Sequence, residues 1–222
     1  MNRITIAIDG PAASGKSTTA RSVAERLGYA HLNSGLLYRA ITWTALRDGW
    51  LSAEPGFDEA LAGLEISLVP TPPTFSVAVN GAGLGEELYS SQVAARVSAV
   101  ASRPAVRKKI LDLLQATEPA GVVCDGRDIG TVVFPNAGLK VFLVASAEER
   151  GRRRLLEQDE PLTEERIRRE TERLEARDEV DSSRELAPLL RAMDAIEIDT
   201  TVLDPAEVID TIMALADERT RG

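Results

Sequence analysis

Apolar and polar positions alternate between two periods along this chain. Residues 3–8, Arg-Ile-Thr-Ile-Ala-Ile, are short, apolar and β-branched, as in a strand buried on both faces. Turn-forming residues follow from Asp9 to Gly15. Apolar positions then recur at helical spacing from Lys16 to Leu27, and Gly28 closes the run. Ser34, an N-cap residue type, opens a second predicted helix that runs to about Asp48; Gly49 and Pro55-Gly56 break the chain after it. Between Leu64 and Tyr89 the period changes to two. Residues 65–69 and 75–79 alternate, with Pro70, Pro72 and Pro73 between them and Asn80-Gly81 after, which predicts a small antiparallel sheet distinct from the rest.

Helical spacing resumes at Ser91, is interrupted near Pro104 and ends at Gln115. Two further buried strands are expected, at Gly121 to Asp125 and Leu139 to Ala145. A polar, Arg/Glu-laced helical region runs from Ala147 to about Glu179; Pro161 interrupts it, and Thr163-Glu164-Glu165 marks a fresh start. A last strand, Ala195 to Asp199, precedes a helix that opens at Asp204-Pro205 and ends near Ala216. Apolar strands alternating with helices predict an α/β fold, a central parallel sheet between two helical layers. The segments at 64–89 and 147–185 are expected as insertions at the carboxyl edge, where open α/β sheets bind ligands.

Composition narrows the function. The chain has 222 residues, 44% hydrophobic and 27% charged, enough for one substantial core. Its formal net charge of −9 argues against binding a nucleic-acid polymer. Yet arginine is dense at 150, 152, 153 and 154 and again at 166, 168 and 169. Such clusters on an acidic protein point to a small anionic ligand or to a solvated, ion-paired helix face. The single cysteine, Cys124, excludes an internal disulfide and sits in an apolar run that predicts a buried thiol. The single histidine, His31, makes a multi-histidine metal site or a Ser-His-Asp triad improbable. No stretch is apolar enough to span a bilayer and the chain starts directly on a strand pattern, so a cytoplasmic location without membrane attachment is expected.

Gly10-Pro11-Ala12-Ala13-Ser14-Gly15-Lys16-Ser17, followed by Thr18, fits G-x-x-x-x-G-K-S/T with a strand before and a helix after. The glycines let the backbone wrap close to phosphates, and the helix N-terminus adds positive potential. Lys16 is the residue expected to meet the β- and γ-phosphates, and Ser17 to join a Mg²⁺ shell. Asp125, at the tip of an apolar strand, is placed like a Walker-B aspartate near that ion. A guanine-specific switch would show N-K-x-D, which the sequence lacks. Three arginine-bearing regions favour phosphoryl transfer instead: Asn33-Ser34-Gly35 with Tyr38-Arg39, where Arg39 is one helical turn past Gly35 and can face the same cleft; Asp125-Gly126-Arg127-Asp128-Ile129-Gly130; and the polar insertion with Arg177, Asp178, Asp181 and Arg184. Arginine's planar fork suits a reaction that spreads charge over phosphate oxygens. Two readings stay open beside a nucleotide kinase: a P-loop kinase for another small acceptor, such as shikimate or dephospho-coenzyme A, and a nucleotide-gated binding protein without transfer chemistry.

Ile8-Asp9-Gly10-Pro11 running into the P-loop, then 33–39 (Asn-Ser-Gly-Leu-Leu-Tyr-Arg), then 125–135 (Asp-Gly-Arg-Asp-Ile-Gly-Thr-Val-Val-Phe-Pro), resemble the bacterial cytidylate kinases, with the third run the most specific. The resemblance spans essentially the whole chain. It implies one P-loop kinase domain over 1–222, with an acceptor-binding insertion at 34–107 and a lid at 150–185. The implied substrates are ATP with Mg²⁺ and CMP or dCMP, and the implied state is a monomer. It implies that the loop from Gly10 to Thr18 binds ATP and that Lys16, Arg127, Arg150 and Arg153 serve catalysis. Ser34, Tyr38, Arg39, Ser98, Arg107, Arg127, Asp128, Arg177, Asp181 and Arg184 would hold CMP, with Ser17 and Asp125 at the metal. Residues 199–201 (Asp-Thr-Thr) would lie near the adenine. The family usually has Asp where Asn33 stands, and many members have Gly where Ser17 stands.

Overall fold

A computed structural model describes residues 3–53, 56–117 and 120–221; Pro55, half of the expected chain break, lies outside them. In chain order the elements are β1 (Ile6–Asp9), α1 (Lys16–Leu27), β2 (Ala30–Asn33), α2 (Ser34–Arg47), α3 (Gly56–Ala62), β3 (Ile66–Thr71), β4 (Thr74–Val79) and β5 (Ala82–Leu84). A 3₁₀ turn (Glu86–Tyr89) leads into α4 (Ser91–Ala101), α5 (Pro104–Gln115), β6 (Val122–Gly126) and a π-helical turn (Ile129–Val133). The chain ends with β7 (Leu139–Val144), α6 (Ala147–Glu157), α7 (Glu164–Ser182), β8 (Ile196–Asp199) and α8 (Pro205–Arg221).

The strands lie in the order β3-β4-β2-β6-β1-β7-β8, with β5 on β4. The five core strands β2, β6, β1, β7 and β8 pair in parallel. Strand alternation makes the three layers. Ile6, Ile8 and Val123 face one side and pack with Ala20 and Val23 of α1 and Val208 and Ile212 of α8. Ala7, Val122 and Cys124 face the other and pack with Leu37 and Ile41 of α2 and Ile110 and Leu114 of α5. Burial on both faces is why β1 and β6 read as continuous apolar runs. Cys124 is fully buried, as its neighbours predict.

Four local expectations are corrected. The first strand begins at Ile6, not Arg3. Ser34 is not the cap of α2: Asn33 is, its side chain accepting from the Gly35 amide. The segment at 64–89 is not a separate sheet. β3 and β4 pair antiparallel through the predicted turn, but β4 also meets β2 at His31 and Thr74, and the His31 amide donates to the Pro73 carbonyl at 2.8 Å. The insertion thereby covers an edge of β2 that would otherwise expose unpaired backbone groups. Finally, α8 continues past Ala216 to Arg221. Helix α3 was not foreseen; its Phe57 and Leu61, one turn apart, are both buried, but seven residues carry too little periodicity to read. Among the described residues no helix is long and apolar enough to cross a membrane.

Candidate active site

The loop between β1 and α1 owes its shape to backbone that side chains would forbid. Gly10 has φ of 148°, and a Cβ there would lie 2.1 Å from the Leu143 carbonyl oxygen of β7. Gly15 (φ 88°) occupies the cap position of α1. The loop is held from outside by cations. Arg127 donates to the Gly10 carbonyl at 2.9 Å, and Arg150 donates to the Ala12 carbonyl at 3.2 Å and to the Asp178 carboxylate. The Ala12 amide donates to the same Asp178 at 3.2 Å. Lys16 folds over the loop, its Nζ 2.5 Å from the Pro11 carbonyl. Burial, with Arg127 nearby, pushes the Lys16 ammonium well below the usual lysine range, so an arriving anion would relieve a real electrostatic cost.

At the carboxyl end of β6, Asp125 accepts from Ser17 Oγ at 2.6 Å and meets His31 Nε2 at 2.7 Å. Asn33 Nδ2 reaches Ser17 Oγ at 3.4 Å, and Ser34 Oγ donates to the Asp125 carbonyl at 2.8 Å. No group of three or more His, Cys, Asp or Glu among the described residues forms a metal cage. A hydroxyl and a carboxylate beside a phosphate cradle are nevertheless a donor set that suits Mg²⁺, which keeps waters and takes its remaining oxygens from substrate phosphates. One strand away, Asp9 accepts from the amides of Ile129 and Gly130 at 2.8 and 2.7 Å. Burial pushes the Asp9 carboxyl up to about 6 even against those bonds. Asp9 thus ties the strand ahead of the P-loop to the π-helical turn behind Arg127 and Asp128.

A cavity of about 340 Å³ runs from the P-loop to a second cluster of charge. At its far end Arg107 and Asp128 pair at 2.5 Å, with both side chains 8% exposed, and Ser98 lines the same cavity. Burial pushes the Asp128 carboxyl up despite Arg107, and pushes the Tyr38 hydroxyl up to about 12. Between the two ends Asp181 accepts from Arg127 at 2.8 Å and pairs with Arg184. Burial raises the Asp181 pKa, but these two guanidiniums outweigh it and hold the group below the usual range. Arg177 is pushed down to about 10 by burial and by Arg127. The Nε atoms of Arg177 and Arg184 are buried without a hydrogen-bond partner.

Most sequence-predicted residues converge on this one cavity. From the P-loop side come Ala12, Ala13, Gly15, Lys16, Ser17 and Thr18, with Asp125 beyond them. From the other side come Ser34, Tyr38, Arg39, Ser98, Arg107 and Asp128. Arg127, Arg177, Asp181 and Arg184 lie between. Gly10, Pro11 and Ser14 shape the loop without lining the cavity, and Ser14 is wholly buried. Two predicted arginines are not brought to it. Arg150 is spent on the P-loop carbonyl and Asp178, and Arg153 binds Glu149 at 3.0 Å and Thr200 at 2.9 and 2.5 Å. Arg154 of the same helix does line the cavity, and sequence reasoning missed it. It also missed Arg21, Tyr89, Asp9 and His31. The sequence marks Arg154 only as one of the dense arginines at 150–154, which does not say which of them faces the cavity. Thr200 sits beside the P-loop, its Oγ 3.4 Å from the Ser14 carbonyl.

Comparison with known proteins agrees with this geometry. A family model described as "Cytidylate kinase" matches residues 6–218. The chain is 43% identical over 221 residues to a cytidylate kinase of Bacillus velezensis, covering 99% of each chain. It is 46% identical over 222 residues to one of Geobacillus kaustophilus, covering 98% of each. It also matches a bifunctional pantoate ligase/cytidylate kinase of Synechocystis at 44% identity, covering 98% of this chain and 43% of that one. Among solved structures, an uncharacterized protein from Eubacterium ventriosum shares the fold at 13% identity, with a TM-score of 0.51 over 97% of this chain and 99% of that chain. With the family model spanning nearly the whole chain and the phosphate cradle joined to an arginine-lined cavity, the chain belongs to the cytidylate kinase family.

Proposed function

We propose that the protein transfers the γ-phosphoryl group of ATP to CMP or dCMP, yielding CDP or dCDP and ADP. The observation that carries this reading is the single cavity joining Lys16 and Ser17 to the Arg107–Asp128 pair, with two buried guanidinium Nε atoms left without partners along it. Unpartnered buried N–H groups of arginine call for an anion, and a planar fork suits phosphate. ATP phosphates take the P-loop amides and Lys16. The acceptor phosphate takes Arg127 and Arg177, with Arg39 at the rim. The pyrimidine takes Ser98, Arg107 and Asp128. Cytosine presents an exocyclic amino donor where uracil presents an acceptor, so a carboxylate at Asp128 favours cytosine. Asp181 and Arg184 reach the sugar.

The acceptor phosphate is already ionised, so its oxygen attacks the γ-phosphorus without a general base. The protein's contribution is alignment plus cationic stabilisation of the transferring group. Mg²⁺, held by Ser17 with Asp125 behind it, would neutralise charge on the phosphates. Helices α6 and α7 serve as the lid, packed closely through Gly151, where a Cβ would lie 2.6 Å from Thr171 Oγ1. Closing them over both substrates excludes water, the competing acceptor. The protein acts as a cytoplasmic monomer on small molecules.

The test is ADP release from MgATP with CMP, dCMP, UMP, AMP or GMP supplied singly. Fast turnover with CMP and dCMP and slow turnover with purines is expected. Absence of acceptor-dependent turnover with every one of them would overturn the proposal.

A further inference from the structure

His31 is the protein's only histidine, and its ring is buried behind the phosphate cradle without lining the main cavity. Its position follows from the sheet. In the β2–β6 ladder Asn33 stands opposite Asp125 and His31 opposite Val123, so His31, Asn33 and Asp125 share one face. That face is covered by α1, which brings Ser17. The imidazole bridges the two-residue offset along the strands and places Nε2 2.7 Å from Asp125 Oδ1, with both side chains 4% exposed. The other carboxylate oxygen, Oδ2, accepts from Ser17 Oγ at 2.6 Å. Asp125 is thus held at both oxygens. With Nε2–H as donor, the carboxylate has a fixed orientation and the Ser17 proton has a fixed acceptor; one lone pair of Ser17 Oγ takes the Asn33 Nδ2 donor at 3.4 Å and the other is left for the cavity.

The structure assigns His31 as a positioning residue for the metal end of the site: it fixes the Asp125 carboxylate so that Ser17 presents its oxygen to the nucleotide-bound cation. This rests on reading Ser17 and Asp125 as the magnesium end. Groups that orient a metal's ligands from behind commonly change metal affinity by about tenfold or more when removed. The bond lies out of water, where its loss is not made good by solvent.

The experiment is calorimetric titration of ADP into the enzyme, in Mg²⁺ and in EDTA, giving the ratio of the two dissociation constants. Wild type, His31→Phe, His31→Leu and His31→Gln are compared. Phe and Leu delete the donor at different volumes, so one of them misfolding does not leave the inference undecided. Gln returns an N–H near the Nε2 position. The expected result is an Mg²⁺/EDTA ratio about tenfold smaller in the Phe or Leu variant, unchanged ADP affinity in EDTA, an unchanged KM for CMP, and a ratio restored by Gln. An unchanged ratio in a folded Phe or Leu variant overturns the inference. So does equal loss of affinity in EDTA and in Mg²⁺, which would mark His31 as a packing residue. Should wild type itself bind ADP equally with and without Mg²⁺, the reading of Ser17 and Asp125 as the magnesium end fails and the role of His31 that rests on it falls with it, a result the wild type alone distinguishes from failure of the His31 role in the variants.

Discussion

Replacing Asp9 with Asn separates what this carboxylate costs from what it does. Burial lifts its pKa from the ordinary 3.8 to about 6, so the folded protein binds a proton more tightly than the unfolded chain. A shift of that size corresponds to roughly 3 kcal/mol of stability, present in full below the unfolded pKa and lost as the pH rises through the folded one. Between pH 5 and pH 7 the loss from this group alone is on the order of 1 kcal/mol. Asn cannot titrate, so the stability of wild type relative to Asp9→Asn should fall by that amount over the same interval. The offset at neutral pH is small. The variant escapes the buried charge but leaves one of the Ile129 and Gly130 amides facing an NH₂ group, a loss of about 1–3 kcal/mol. Activity should not be spared, because the anchored turn directly follows Arg127 and Asp128 and fixes the backbone behind them; kcat should fall at least tenfold while the melting temperature moves little. Urea unfolding at pH 5, 6 and 7, paired with CMP turnover, reads both. Parallel stability profiles for the two proteins would refute the buried-carboxylate argument, and full activity in the variant would refute the anchoring role.

Three further outcomes follow from the same geometry. Lys16→Ala and Arg127→Ala should each lower kcat by two or more orders of magnitude in a protein that still unfolds cooperatively, because each removes a cation that the proposed function sets against the reacting phosphates; near-normal turnover in steady-state assays would sink the role of that residue. Asp128→Asn should narrow the preference for CMP over UMP by about tenfold or more, since an amide can donate to the uracil carbonyl; it should also destabilise the fold by roughly 3 kcal/mol, because buried Arg107 loses its counter-charge. Arg154→Ala should reduce kcat/KM more than Arg153→Ala does, because Arg154 lines the cavity while Arg153 is bound to Glu149 and Thr200; kinetics giving the reverse order would mean that α6 rotates or shifts during turnover.

The parts of this molecule that were legible in the sequence are those fixed by local rules. Strands β1 and β6, buried on both faces, must be apolar up to the aspartates at their carboxyl ends, Asp9 and Asp125. The loop at Gly10–Gly15 must have glycine where Gly10 meets the Leu143 carbonyl. Asn80 and Gly81 both take positive φ, as the turn they predict requires. What was not legible depends on pairings across the chain. Nothing local to β4 announces that its first residue, Thr74, pairs with His31, more than forty positions earlier, so the insertion read as a separate sheet. Likewise the density of arginine at 150–154 marks a cationic helix but not its rotation. That rotation is set by Asp178 on α7 and Thr200 after β8, which claim Arg150 and Arg153 and leave Arg154 to the cavity.

The same pairings explain how a protein of net charge −9 keeps an anion site ready. An empty cluster of Lys16, Arg127, Arg177 and Arg184 in low dielectric would repel itself; burial first, and Arg127 after it, depress the pKa values of Lys16 and Arg177. Three aspartates serve as counter-ions: Asp181 for Arg127 and Arg184, Asp178 for Arg150, and Asp128 for Arg107. They compensate incompletely, since the Nε atoms of Arg177 and Arg184 keep no partner. Two aspartates and two of these cations lie within one stretch of α7 and its C-terminal flank, from Arg177 to Arg184, so the cationic balance of the cavity depends on where that helix sits. On the function proposed above, substrate phosphates would complete the compensation only with α7 over them. Binding energy from the two nucleotides would then be available to draw the proposed lid closed, and an incomplete pair of substrates would leave part of the cluster unneutralised.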